Sequence, residues 1–427
     1  MGDDRFIISS VKGMMAIDSR GSPTVKAIVE TKGGGIGVAL APSGASKSEK
    51  EAVELRDGGR KWRGRGVGLA IARLESEVAP RLKGADSRLQ EYIDALLVEI
   101  DGTSQKKRIG GNTTTAVSIA VAKAAASTAG LQLYRYLGGA YASTLPVPLM
   151  NIINGGVHAG NELDFQEFLI LPVGADSFKE ALRIAVEVYW ELKDLLKEKY
   201  GLNAVNVGDE GGYAPPMRRV EEALEALSRA IDRAGYALGE DFLLGLDVAA
   251  SQLYDASKGV YMVEGRSLNQ GELIDLYEDI TRRYHIVYLE DPFHEEDFDS
   301  FKELTRKIGY RTLIVGDDLY ATNPSILARG IEKKATNAVL VKVNQIGTLT
   351  ETLKFIDMAR MAGMRYIISH RSGDTEDPFI ADLAVATGSR LIKTGAPARG
   401  ERTSKYNRLL EIEEDLGPTI TYPKKVI

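Results

Sequence analysis

Apolar and polar positions divide the chain into two parts with different periods. In the first part, short runs with the composition of β-strands come first, at residues 7–11, 24–31 and 36–41. Longer stretches with helical spacing follow, at residues 49–56, 67–81, 89–100 and 113–137. Strands followed by helices are typical of an α+β domain, and the sequence predicts one over residues 1–140.

From about residue 147 onward, short apolar runs alternate with long helical stretches. The runs that predict strands cover residues 148–151, 165–171, 242–248, 286–289, 312–315, 338–343, 365–369 and 390–393. Helical patterns between them include residues 177–200, 219–234, 270–284 and 348–361. This alternation predicts an α/β fold, a (β/α)8-type barrel over residues 141–427 that starts with two strands and two helices. A hairpin around residues 259–265 is inserted in it.

Composition narrows the class of protein. The 427 residues include no cysteine, which excludes a disulfide scaffold, a cysteine nucleophile and a Cys-ligated zinc site. The formal net charge of −6 argues against nucleic acid as a partner. No run of about 18 uncharged apolar residues occurs, and the acidic N-terminus lacks the apolar core of a signal peptide. We therefore expect a cytoplasmic protein without a membrane span.

Polar residues end the later predicted strands at regular intervals. They are Asp247, Glu290, Asp317, Lys342, His370 and Lys393. After a first interval of 43 residues that contains the hairpin, the intervals of 23 to 28 residues each match one βα unit. The carboxyl ends of barrel strands meet at one rim, so these side chains should converge. One such acid alone is most often a helix cap, and the whole set has a structural ion-pair network as its alternative.

The chemistry of this set points to a metal-assisted reaction. Carboxylates without cysteine favour Mg²⁺ or Mn²⁺ over zinc. A buried lysine beside such a cation has reason to be neutral and can act as a general base. The residues therefore predict removal of a proton next to a substrate carboxylate, with the cation stabilising the resulting enolate.

Long sequence motifs carry a resemblance to a known family. They are DSRGSPTV at residues 18–25, PSGAS at 42–46, ELRDG at 54–58, NIINGG at 151–156, HAGN at 158–161, QEF at 166–168, VGDEGG at 207–212, LDVA at 246–249, EDP at 290–292, GDD at 316–318, LVKVNQIG at 340–347, SHRSG at 369–373 and IKTGAP at 392–397. On these motifs the chain resembles the enolase family over nearly its whole length.

The resemblance implies two magnesium ions in each active site. It places the first Mg²⁺ on Asp247, Glu290 and Asp317. The second arrives with the substrate and involves Ser46, on a mobile loop over residues 43–47. Enolase-superfamily sites generally combine a Lys or His base with Mg²⁺, so this known pattern supports the assignment.

The resemblance also implies a role for each remaining site residue. Lys342 is the base at C2 of 2-phosphoglycerate, and Glu210 is the acid at the C3 hydroxyl. Glu167 and His158 lie beside Glu210, and with Lys342 they complete the catalytic set. The implied substrate contacts are His158, Glu167, Glu290, Asp317, His370, Arg371, Ser372, Lys393 and Ala45; among these, Arg371 and Ser372 hold the phosphate and Lys393 faces the carboxylate.

The implied activity is the reversible, Mg²⁺-dependent dehydration of 2-phospho-D-glycerate to phosphoenolpyruvate in glycolysis and gluconeogenesis. The resemblance implies a homodimer or octamer with this small-molecule substrate as partner. One alternative is a superfamily relative that acts on another carboxylate. Such enzymes carry a Lys-x-Lys pair near the second barrel strand, and residues 165–171 contain no lysine. The other alternative is a scaffolding or receptor role of the same fold.

Overall fold

An antiparallel sheet forms the start of the chain in the computed structural model, which describes residues 3–44 and 48–423. Its strands are β1 (Ile8–Ile17), β2 (Pro23–Thr31) and β3 (Ile36–Leu40), with β2 between the other two. The helices that follow are α1 (Gly68–Arg73), α2 (Ala79–Leu82), α3 (Gln90–Asp101), α4 (Gly111–Ala129) and α5 (Leu133–Gly138). Strands precede helices, as the sequence predicts.

Two predicted helices in this part differ from the observed ones. The pattern over residues 113–137 forms α4 and α5, because Gly130 adopts a left-handed conformation with φ of 69° that ends α4. The pattern over 67–81 forms α1 and α2 with a π-helical turn, Leu74–Val78, between them. One extra residue in a turn of this kind leaves the helical pattern in the sequence almost intact.

The prediction of a helix over residues 49–56 is wrong. The described part of this segment is irregular, and its backbone groups bond to other elements. The amide of Ala52 donates to the carbonyl of Gln345 at 2.7 Å, and that of Val53 donates to Gln105 at 2.7 Å. Tertiary hydrogen bonds thus replace the helical ones, which outweighs the local propensity.

A closed barrel of eight strands follows within the described residues. Its order is β4 (Val147–Asn154), β5 (Glu167–Pro172), β6 (Phe242–Asp247), β10 (Ile286–Glu290), β11 (Leu313–Gly316), β12 (Ala338–Val341), β13 (Arg365–Ser369) and β14 (Leu391–Lys393), which returns to β4. Strand β5 is antiparallel to both of its neighbours, and the other pairs are parallel. The inserted hairpin is also present, and it is part of a three-stranded antiparallel sheet of β7 (Tyr254–Asp255), β8 (Val260–Val263) and β9 (Arg266–Leu268).

The helices of this second part lie between the barrel strands in sequence, except the last one, which follows β14. They are α6 (Phe178–Tyr200), α7 (Val220–Arg233), α8 (Gln270–Arg283), α9 (Phe298–Ile308), α10 (Pro324–Lys333), α11 (Val343–Ile346), α12 (Leu349–Met361), α13 (Phe379–Thr387) and α14 (Gly400–Leu416). The chain therefore enters the barrel as β4, β5, α6 and α7, which confirms the predicted start with two strands and two helices. A separate apolar cluster that includes Leu149, Leu169, Val315 and Leu340 fills the barrel interior.

Within residues 3–44 and 48–423 no single helix is long and apolar enough to cross a membrane. Two consecutive helical segments, Gly111–Ala129 and Leu133–Tyr141, are together long and apolar enough to do so, but the chain bends by 95° between them.

Helix α4 packs so closely on β3 that Gly37 leaves no room for a side chain. An ideal Cβ at Gly37 would lie 1.9 Å from the carbonyl oxygen of Ala120. We expect Gly37→Ala to destabilise the protein by about 1–3 kcal/mol, because the sheet and the helix would have to separate. Guanidinium unfolding measures the effect.

The matched control is Gly400→Ala, because a Cβ there meets nothing within 4 Å. Equal unfolding midpoints for the two variants would contradict the close packing of α4 on β3.

Candidate active site

The predicted strand-end residues meet at one rim of the barrel. Asp247, Glu290 and Lys393 are the last residues of β6, β10 and β14. Glu167 reaches the same rim from the opposite direction, because it is the first residue of the antiparallel strand β5 and pairs with Asp247. Lys342 directly follows β12, so both lysines and these three carboxylates lie at the same end of the barrel.

A buried ammonium group lies at the centre of the rim. The Nζ atom of Lys393 is 3.1 Å from Glu167, 3.0 Å from Asp247 and 2.7 Å from Glu290. Burial alone would lower the pKa of Lys393, but Asp247 and Glu167 raise it well above its ordinary value. Lys393 therefore stays charged and holds side chains from different strands together.

A second ion pair lies on the neighbouring strands. Lys342 donates from Nζ to Oδ2 of Asp317, and Gln345 donates to Oδ1 of the same carboxylate at 2.9 Å. Burial would lower the pKa of Lys342, but Asp317 raises it above its ordinary value. The ammonium form is thus favoured here, and a neutral Lys342 stays a prediction for the cation-bound protein.

A pair of buried carboxyl groups occupies the opposite side of the cavity. Ligand atoms of His158, Glu167 and Glu210 lie within 4.8 Å of one another. Burial, and then Glu210, raise the pKa of Glu167 well above its ordinary value. Burial would also raise the pKa of Glu210, but the facing imidazoles of His370 and His158 lower it well below that value. The shared proton of the pair is therefore favoured on Glu167.

One hydrogen bond and a nearby imidazole orient Glu210. The amide of Asn151 donates to its Oε2 at 3.0 Å, and Nε2 of His370 lies 3.5 Å from the same oxygen. The other ring nitrogen of His370 lies 2.6 Å from Nη1 of Arg402, a fully buried guanidinium. Since Arg402 is a donor only, it requires Nδ1 to accept. Burial lowers the pKa of His370 to about 4, so this ring is neutral near pH 7.

Arg371 is held in a fixed direction at the border of the barrel and the N-terminal part. Its guanidinium binds both oxygens of Glu51, at 2.9 and 3.1 Å, and donates to Asn344 at 3.1 Å. Ser372 is buried nearby, and its carbonyl accepts from Arg402 at 2.6 Å. A planar, oriented guanidinium is well suited to bind a phosphate through two hydrogen bonds.

The carboxylates of the rim fit a hard divalent cation. Oε1 of Glu290 is buried and has no hydrogen-bond partner among the described residues. Burial, and then the neighbouring carboxylate of Asp247, raise the pKa of Glu290 to about 8. A cation held by Asp247, Glu290 and Asp317 would supply the missing charge.

A second acidic group adjoins these residues. Carboxylate oxygens of Asp291, Asp317 and Asp318 also lie within 4.8 Å of one another. The carboxylate of Asp291, however, accepts the backbone N–H groups of Asp317 and Asp318, at 2.9 and 2.8 Å. Asp291 thus orients the turn after β11, and its oxygens are already engaged.

The structure brings nearly all of the sequence-predicted residues to one cavity. Its lining includes His158, Glu167, Glu210, Asp247, Asp317, Lys342, His370, Arg371, Ser372 and Lys393. Glu290 joins them through its contact with Lys393. Ala45 and Ser46 lie outside the described residues. Sequence reasoning assigned no role to four residues that orient this set, Glu51, Asn151, Gln345 and Arg402. Asn151 and Gln345 belong to quoted motifs, but no sequence signal marks the burial of Arg402.

A barrel rim with buried carboxylates, two lysines paired with them and a neutral histidine is equipped for acid–base catalysis. Family models match this chain as "Enolase, N-terminal domain" over residues 8–137 and "Enolase, C-terminal TIM barrel domain" over residues 142–426. The chain is 61% identical to an enolase of Aeropyrum pernix, covering 99% of this chain and 97% of the relative. It is 54% identical to an enolase of Pyrococcus furiosus, over 99% and 98%, and 55% identical to one of Methanopyrus kandleri, over 96% of each.

The chain therefore belongs to the enolase family. It is accordingly an enzyme of the hydro-lyase class, a phosphopyruvate hydratase.

The neutral His370 makes stability depend on pH. Its pKa is about 4 in the folded protein and 6.5 ordinarily, so the unfolded chain takes up the proton first as the pH falls. Stability from this group is therefore lost from pH 6.5 downward, by about 2 kcal/mol at pH 5. Guanidinium unfolding of the wild type and His370→Gln at pH 7.5 and pH 5 measures this difference.

The wild type should lose about 2 kcal/mol more than His370→Gln between these two pH values. Identical pH dependence of the two proteins would show that His370 is not held neutral by burial.

Proposed function

We propose that this enzyme catalyses the reversible, Mg²⁺-dependent dehydration of 2-phospho-D-glycerate to phosphoenolpyruvate, a step of glycolysis and gluconeogenesis. The observation that carries the proposal is the position of Lys342 and the Glu167–Glu210 pair in the lining of one cavity. A base and an acid that face one substrate are what removal of a C2 proton and a C3 hydroxide requires.

Lys342 takes the C2 proton in this mechanism. Burial, Arg371 and Lys393 disfavour its ammonium form, whereas Asp317 first and then Glu290 favour it. A cation held by Asp317 would take that partner from Lys342, and burial, Arg371 and Lys393 would then lower the lysine pKa against Glu290 alone. Asp317 would thus link the cation site to the base, because the same carboxylate that would hold the cation is the partner of Lys342.

Charge develops on the substrate carboxylate as the C2 proton leaves. Lys393 faces this group with an ammonium that its buried partners keep charged. Two Mg²⁺ ions, one on Asp247, Glu290 and Asp317 and one involving Ser46, supply further positive charge there when bound. A preformed positive charge in a cavity with little water stabilises such an anion by several kcal/mol.

Glu210 protonates the C3 hydroxyl as it departs. In the free protein the proton of the pair is favoured on Glu167. Glu167 therefore supplies the proton that Glu210 passes to the leaving hydroxide. Asn151 fixes Glu210 through Oε2, which leaves Oε1 on the side of His158, at 3.7 Å from its Nδ1. Substrate-facing proton transfer is accordingly assigned to Oε1.

Arg371 and Ser372 bind the phosphate. The Glu51 carboxylate on Arg371 orients the guanidinium before substrate arrives, which lowers the entropy lost on binding. His370 contacts the substrate from between this group and Glu210, and Ala45 contributes a contact from the loop.

Three further features belong to the proposal. The chain divides into an α+β domain over residues 1–140 and a barrel domain over residues 141–427. It assembles as a homodimer or octamer and acts in the cytoplasm.

Removal of the base is the direct test of this mechanism. Lys342→Ala should lower kcat by at least about 10²- to 10⁴-fold, because the variant has no group to accept the C2 proton. The measurement follows the ultraviolet absorbance of phosphoenolpyruvate with 2-phosphoglycerate and Mg²⁺. EDTA should stop turnover by the wild type as well.

The matched control is Lys333→Ala, which removes a half-buried lysine that pairs with Asp299 on helix α9, away from the cavity. It should retain wild-type turnover. A folded wild type that does not form phosphoenolpyruvate with Mg²⁺ present would contradict the proposed function, and an active Lys342→Ala would contradict the role of this lysine.

A further inference from the structure

A tyrosine lies inside the barrel directly beneath the rim. Tyr288 precedes Glu290 by two positions in β10, so both side chains point to the same face of the strand. Tyr288 is fully buried and belongs to the apolar cluster of the barrel interior. Its hydroxyl donates to Oε2 of Glu290.

The neighbouring strand makes room for this ring. Tyr288 pairs in register with Gly245 of β6. An ideal Cβ at Gly245 would lie 3.2 Å from Cβ and 3.3 Å from Cδ1 of Tyr288, tighter than most real contacts. The glycine therefore lets a large side chain with a polar hydroxyl occupy an interior that Leu, Val, Ile and Ala otherwise fill.

The two oxygens of Glu290 have different surroundings. Oε2 accepts from Tyr288 and from Nζ of Lys393, the latter at 2.7 Å. Oε1 is buried without a hydrogen-bond partner among the described residues. Because a carboxylate is planar, two donors on Oε2 restrict its rotation and so determine the direction of Oε1. A buried oxygen of this kind needs a partner, and the described residues do not supply one.

We propose that Tyr288 is a positioning residue for the cation site, which holds Glu290 through Oε2 so that Oε1 is directed to the metal. The inference rests on the proposed function, in which Glu290 is a ligand of Mg²⁺. The competing explanation is that Tyr288 only fills the barrel and that its hydroxyl has found the nearest acceptor.

Tyr288→Phe separates the two explanations, because it keeps the ring and removes only the hydroxyl. Mg²⁺ is titrated calorimetrically into metal-free protein without substrate. Groups that orient a metal ligand from outside its contact sphere typically contribute 10- to 100-fold in affinity, so we expect a Kd at least about 10-fold higher. At saturating Mg²⁺ the kcat should return to near the wild-type value, since Tyr288 does not contact substrate.

The matched control is Tyr320→Phe, which also removes a buried tyrosine hydroxyl, one that pairs with Thr336 instead. It should bind Mg²⁺ like the wild type. The thermal midpoint of each metal-free variant reports its folding. If Tyr288→Phe does not fold, Gly245→Ala provides the second test, because its methyl group displaces the ring while the hydroxyl remains; it too should raise the Kd.

The outcomes distinguish this inference from the proposed function. A wild type that shows neither Mg²⁺ binding nor Mg²⁺-dependent turnover of 2-phosphoglycerate overturns both. A wild type that binds Mg²⁺ beside a folded Tyr288→Phe with the same Kd overturns only the role of Tyr288. Equal loss of affinity in Tyr288→Phe and Tyr320→Phe also overturns it, because the effect would then be a general one of the core.

Discussion

The contact of one buried ammonium group, that of Lys393, with Glu167, Asp247 and Glu290 organises the whole rim. Charges taken out of water destabilise a fold unless each one is closely paired, so these side chains depend on one another. They come from β14, β5, β6 and β10, and the antiparallel direction of β5 is what brings Glu167 to the same end as the others. The site therefore depends on the two consecutive antiparallel strands, β4 and β5, with which the barrel begins.

The proposed base and the proposed acid lie on opposite sides of this ammonium group. On one side Asp317 holds Lys342 as an ammonium, and a cation that takes Asp317 would release it as a base. On the other side burial favours a proton within the Glu167–Glu210 pair. His370 lies next to that pair as a neutral ring, oriented by Arg402. Each group is thus in the protonation state that its neighbours impose, before any substrate is present.

The sequence predicted the barrel and its rim well, because polar residues at the ends of successive strands recur with the length of a βα unit. It placed Glu167 only through the family motif, since nothing local shows that β5 runs against its neighbours. It failed at residues 49–56, where a helical pattern gives way to hydrogen bonds with Gln345 and Gln105. The roles of Arg402 and Tyr288 could not be predicted from the sequence either, because their burial depends on contacts with residues distant in the chain.

In the proposed mechanism Lys342 removes the C2 proton and Glu210 assists loss of the C3 hydroxide, and hydrogen exchange at C2 tests this division of roles most directly. 2-Phosphoglycerate in D₂O with Mg²⁺ is followed by NMR for the wild type, Glu210→Gln and Lys342→Ala. Glu210→Gln should still exchange the C2 hydrogen while it forms phosphoenolpyruvate far more slowly, and Lys342→Ala should lose both reactions. Exchange at the wild-type rate in Lys342→Ala, or its loss in Glu210→Gln alone, would contradict the assignment of base and acid.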